Sequence, residues 1–281
     1  MNSYIKCEFK KMFKRNEWLY ALAIGILFAV FGLMAKTNDA YKNVFNLLST
    51  IESPTQSAMT HTAGVIDLLV CLLPMLVSLP CAWFYHEEMS NHSISVLLTR
   101  GTLKQYLFSK AIVISLSGFV LAVLPLVANL CLCLLAYPFP AHGIFAESAY
   151  SNGMGISQTT VIGSAMFPTL YMNSPVLDAL IHIALFGLFG SVAGLLTFAI
   201  TLYFRKHIIV TLGLTTVAGV MIILVLGIFG AGRYMPQSIV YTDPNTLVAS
   251  LPVFVTEMLL ILCAVMLMLA IKLRRHRDVL P

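Results

Sequence analysis

The chain has 281 residues, 59% of them hydrophobic and only 10% charged, with a formal net charge of +5. Soluble domains are about 25% charged, so the composition excludes a chain that lies wholly in water. It also argues against a disulfide framework, because Cys71, Cys81, Cys131, Cys133 and Cys263 fall in apolar runs and Cys7 in a basic segment.

Residues 1–17 come first. Ile5, Phe9, Met12 and Phe13 recur at i, i+4, i+7 and i+8, one helical stripe, with Lys6, Lys10 and Lys14 on the other side. The pattern predicts an amphipathic interfacial helix lying along a membrane, its lysines toward the headgroups of membrane lipid. It serves either as a basic anchor or as a lever against a cytoplasmic partner. The segment lacks the basic tip, short apolar run and small-residue cleavage site of a secretory signal, so the first span is expected to stay in the mature protein.

Six apolar runs follow, at 18–35, 63–85, 109–137, 176–204, 208–230 and 252–273. Each is long enough for a bilayer core of about 30 Å. Pro74 and Pro80 lie in the second run and Pro125 in the third. Neighbouring helices can satisfy the carbonyls these prolines free, at the cost of kinks. The expected fold is all-α and integral to the membrane, a single transmembrane domain over 1–281.

Orientation follows from the 17 basic residues. Only Lys36, Lys42 and Arg233 fall in the loops after the first, third and fifth runs. All the others lie in the N-terminal segment, the loops after the second and fourth runs, or the C-terminal tail. The positive-inside rule puts that second group in the cytoplasm. Both termini are then cytoplasmic, as expected for a multi-pass protein of the cell membrane. The net charge reflects anionic lipid beside these segments, and no nucleic-acid partner is expected. The loop at 138–175 is the longest outside, and is either functional or a passive cap.

Asp67, Asp178 and Glu257 sit near the outer ends of the second, fourth and sixth runs. A carboxylate there is stabilised by the helix dipole. The alternative is an acidic outer vestibule for a cationic cargo. His182 lies four residues after Asp178 and shares its face. Gly190 and Gly194 give a G-x-x-x-G spacing suited to close helix packing.

The remaining segment, 86–108, carries the most specific pattern. Glu87 and Glu88 end the second run, and Ser93, Ile94 and the Leu97-Leu98 pair follow. Arg100-Gly101-Thr102 and Lys104 come next, and Lys110 enters the third run. In order and spacing this resembles the type-2 ABC transporter permeases, the ABC-2 exporter family. His92 stands where that family commonly has glycine, and Gly101 where it commonly has proline. The resemblance extends in layout to nearly the whole chain.

The resemblance implies a permease subunit of an ATP-driven exporter. In it, 86–108 is a cytoplasmic coupling loop whose short helix docks on an ATPase through Glu87, Glu88, Ser93, Ile94, Leu97, Leu98, Arg100 and Lys104. It also implies a second permease copy, as a homodimer or with a related permease, and a separate ABC ATPase subunit in two copies. The cargo would be an amphipathic or hydrophobic peptide, lipid or drug. No cofactor is expected in this chain. The P-loop pattern G-x-x-x-x-G-K-[ST] does not occur in it, so ATP and Mg would be held by the partner subunit. A secondary transporter, or a standalone immunity or sensor protein, is the alternative. An intramembrane protease of the CAAX-processing type would need Arg where His92 stands. No catalytic residue and no metal site is therefore expected.

Overall fold

The structure, a computed structural model, describes residues 2–42, 65–90, 103–136, 166–167, 169–170, 175–204, 208–229 and 250–274. Among these residues there are seven helices and no strand: α1 Asn2–Phe13, α2 Asn16–Lys42, α3 Val65–Ser90, α4 Leu103–Ala136, α5 Pro175–Thr201, α6 Ile208–Ile228 and α7 Leu251–Arg274. Three of them are long and apolar enough to cross a membrane, over Lys104–Leu132, Val176–Thr201 and Leu251–Arg274. At 1.5 Å per residue, even the shortest of these reaches about 36 Å. The first, second and third runs continue as helix beyond their apolar stretches, to Lys42, to Ser90 and back to Leu103.

Local chemistry explains the boundaries. α1 and α2 are separated at Lys14–Arg15, where the Arg15 N–H donates to the Met12 carbonyl at 3.3 Å. The Arg15 carbonyl then accepts from Leu19 N–H at 3.3 Å, the first bond of α2. Glu17 stands in the first turn of α2, where the dipole favours it. α5 opens on Pro175, whose missing N–H costs nothing at that position. Inside the apolar helices, hydroxyls turn back on their own backbone. Thr197 donates to the Ala193 carbonyl at 2.9 Å, Thr216 to Leu212 at 2.8 Å and Thr256 to Val253 at 2.7 Å. Such bonds keep a threonine hydroxyl satisfied where no water is at hand.

α4 and α5 form the centre, with α2 and α3 packed on them. Their crossing is closer than side chains allow. A Cβ at Gly118 would lie 2.5 Å from the Gly190 carbonyl oxygen, and one at Gly190 would lie 2.7 Å from the Ala122 Cβ. The glycine spacing on α5 therefore serves packing within one chain: Gly190 meets α4, and Gly194 meets Val77 of α3 and Ile114 of α4. A similar notch lets Gly25 of α2 receive Pro125 of α4, at 2.6 Å from a would-be Cβ. Two polar links join the same helices. The Trp18 indole N–H donates to Ser117 Oγ at 3.1 Å, and the Asn129 amide donates to the Ala29 carbonyl at 2.8 Å. In an apolar surround such links hold helix pairs in register.

α6 rests against α3 and α5, and α7 mainly against α5. α7 buries Phe254, Met258 and Val265 but leaves Val255, Leu259, Leu260, Met266 and Leu267 exposed. α2 likewise exposes Leu19, Ile24, Leu27 and Phe31. Apolar faces of this extent are not what a water-soluble monomer presents, and they are compatible with a membrane protein.

Candidate functional site

The most unusual chemistry lies where α1, the end of α3 and the start of α4 meet. Lys110 is fully buried, and its ammonium lies 2.6 Å from Glu88 Oε2. Tyr106, one turn earlier on α4, donates its hydroxyl to the same carboxylate at 2.7 Å. α1 adds an acid and a base. Glu8, buried, places its carboxylate 4.0 Å from Lys110, and Lys11 bridges Glu8 at 3.5 Å and Glu88 at 3.6 Å. Beside the cluster the Arg15 guanidinium pairs with Glu87. The four central groups carry two positive and two negative charges, so the junction is neutral as a whole. Burying charged groups is tolerable only when they are paired in this way.

The two carboxylates are not equivalent. Burial pushes the Glu88 carboxyl up, but Lys110, through its charge and its contact, together with Tyr106 and Lys11, outweighs burial and holds it below the usual range. Burial pushes Glu8 up as well. There Lys110 pulls it down, Glu88 pushes it up again and Lys11 pulls it down, and the sum leaves it raised. Burial depresses the Lys11 ammonium, but Glu8 and Glu88 more than offset this and raise it.

The stripe expected on α1 is divided. Met12 is buried in the core, Ile5 and Phe13 pack partly against it, and Phe9 is exposed. Phe9, Phe13 and Trp18 form a ring ladder with centroids 4.4 Å and 4.6 Å apart. The structure thus lays α1 across α4, with Lys6, Lys10 and Lys14 exposed. Of the residues expected to couple, Glu87 and Glu88 end α3 within the cluster, and Lys104 stands exposed in the first turn of α4. Ser93, Ile94, Leu97, Leu98 and Arg100 lie outside the described residues, as does nearly all of 138–175. Glu8, Lys11 and Tyr106 are the members the sequence reading missed, as is Arg15 beside them. A signal for Glu8 was present: an acid three residues after Ile5 and four before Met12 sits inside an apolar stripe.

Of the three outer acids, Asp178 and Glu257 stand on α5 and α7, and the side chain of Asp67 lies outside the described residues. Asp67 falls in the first turn of α3. Asp178 is buried, 3.9 Å from His182 Nε2, and Phe167 lies edge-on to that histidine with centroids 6.1 Å apart. Glu257 is only partly exposed on α7. No group of three His, Cys, Asp or Glu side chains suited to a metal ion occurs among the described residues. Compared with known protein families, with curated proteins and with solved structures, the chain finds no match.

Proposed function

We propose that this chain is the permease subunit of an ATP-driven exporter of the type-2 ABC class, working as a pair of permeases with two ATPase subunits. Six spans would be formed by α2 to α7, with both termini in the cytoplasm and α1 at the cytoplasmic surface. The observation that carries this reading is the Glu88–Lys110–Tyr106 contact. It clamps together the two helix ends between which residues 91–102 leave and return, and α1 braces the clamp through Glu8 and Lys11. A segment held at both ends on rigid helices transmits a push; one on loose tethers does not. If that segment is the expected short helix, Ile94, Leu97 and Leu98 would share a face suited to a groove in a soluble partner. ATP and Mg would belong to that partner.

The cargo proposed is amphipathic or hydrophobic, a peptide, lipid or drug, because the described spans carry few ionisable groups. The buried Asp178–His182 pair favours the second reading, an ion-coupled secondary transporter, since ionisable groups inside spans commonly serve ion pathways.

The test is the double substitution Leu97→Asp with Leu98→Asp. Co-purification with the ABC ATPase subunit that the wild-type chain retains on co-expression should fall to background while the permease level in the membrane stays unchanged. Buried unpaired carboxylates in a docking groove cost about 3–5 kcal/mol each. Survival of the complex and of its stimulated ATP hydrolysis would remove 91–102 as the coupling element. The topology is checked separately. A cysteine introduced at Ser151 should react with a membrane-impermeant thiol reagent in intact cells, and one at Ser90 only after permeabilisation. The reverse pattern would overturn the orientation.

A further inference from the structure

We infer that α1 is a detachable strap whose grip on α3 and α4 tightens when Glu8 takes up a proton and loosens when Glu8 gives it up. This inference does not rest on the exporter reading.

Two carboxylates stand around one fully buried ammonium. Glu88 holds Lys110 at 2.6 Å and also receives the Tyr106 hydroxyl at 2.7 Å. Glu8 stands off at 4.0 Å from the same ammonium, and its Oε2, buried, has no hydrogen-bond partner. When two acids share a site, one keeps its charge and the other becomes the place where a proton is favoured. Here geometry awards the charge to Glu88. The charged groups acting on Glu8 are Lys11 of its own helix, Glu88 of α3 and Lys110 of α4. Arg15, at the start of α2, is engaged by Glu87.

The division of labour between helices makes α1 the detachable part. With α1 lifted away, Glu88 keeps its ion pair with Lys110 and its hydrogen bond from Tyr106 across α3 and α4. α1 brings one acid and one base, so its departure leaves no net charge behind. Its own attachment rests on Met12 in the core, Ile5 and Phe13 beside it, the ring ladder to Trp18, and Lys11 at 3.6 Å from Glu88. Against this acts the burial of an ionised Glu8.

Linkage gives the sign. The docked Glu8 carboxyl is raised by burial beyond what the lysines recover. The docked state therefore holds the proton more tightly than the undocked one. The added grip is complete below the ordinary carboxylate value and is lost as pH rises through the docked value.

The test is amide hydrogen exchange on the purified full chain in lipid nanodiscs, followed from about pH 4 to about pH 8 and corrected for intrinsic exchange. Protection of residues 2–13 should be highest at the acid end and fall by about tenfold for each unit by which Glu8 is displaced. Amides of α4 and α5 serve as the folded standard. Glu8→Gln should keep high protection at every pH, with no step. Lys11→Gln removes a cation that favours the ionised acid, so it should move the step to higher pH. A flat wild-type profile overturns the inference. So does a step that persists in Glu8→Gln, an α1 that loses protection in that variant at all pH, or a step that Lys11→Gln leaves in place or moves to lower pH.

Discussion

Lys110→Met should destabilise the fold by about 3–5 kcal/mol, because it leaves Glu88 buried without its principal counter-charge. Glu88 is held below the usual carboxylate range by Lys110 with help from Tyr106 and Lys11. Its ionised form therefore contributes stability that is present above the ordinary carboxylate value and lost as pH falls through the lower, folded one. In Lys110→Met that contribution should vanish and acid should become less harmful, since protonating Glu88 then relieves an unpaired charge. The double variant Lys110→Met with Glu88→Gln should recover most of the loss, because neither charge remains to be desolvated. Heating curves of the purified protein, read as the fraction surviving as a monodisperse species, measure all three. Equal loss in the single and double variants would show that the pair matters through packing and not through charge.

Gly118→Ala should cost about 3 kcal/mol, toward the upper end of overpacking effects. The added methyl meets the Gly190 backbone carbonyl at 2.5 Å, and a backbone cannot rotate aside as a flexible side chain can. α4 and α5 would have to part, and α3 leans on both while α2 leans on α4. Gly213→Ala on α6 is the matched control, since a Cβ there meets nothing within 4 Å. It should be neutral, or stabilising by up to about 1 kcal/mol through helix propensity. The same heating assay compares them. If Gly118→Ala proves as mild as Gly213→Ala, the α4–α5 approach is not as close as described.

The apolar runs were legible because length and hydropathy alone decide them, and all six coincide with helices α2 to α7. The overruns were not, because α3 and α4 continue as helix past their apolar stretches through Glu87, Glu88, Lys104 and Gln105, residues that hydropathy scores as loop. The Asp178–His182 contact was legible, since a spacing of four places both on one face. The charge cluster was half legible. Glu88 and Lys110 stood out by their order in the chain, but that Lys110 would be fully buried depends on α1 folding across it, and a pairing between residues so distant in sequence has no local signature. Glu8 was hidden by the habit of reading an amphipathic helix as two faces, one charged and one apolar. An acid inside the apolar face was the sign that this face meets protein. Gly190 and Gly194 were read rightly as a close-packing pattern, but sequence alone does not say whether the partner is another helix of the same chain or of a second copy.

The links between α2 and α4 bear on how the chain is made. Trp18 finds its acceptor on Ser117, Gly25 its proline at 125, and the Ala29 carbonyl its donor on Asn129, all about a hundred residues later. A chain synthesised from its N-terminus completes α2 and then α3 while those partners are still unmade. The Trp18 indole N–H must therefore wait for its Ser117 acceptor until α4 has been made. A ribosome stalled after α3 would hold α2 and α3 without the helix whose Ser117, Pro125 and Asn129 lock α2 in place.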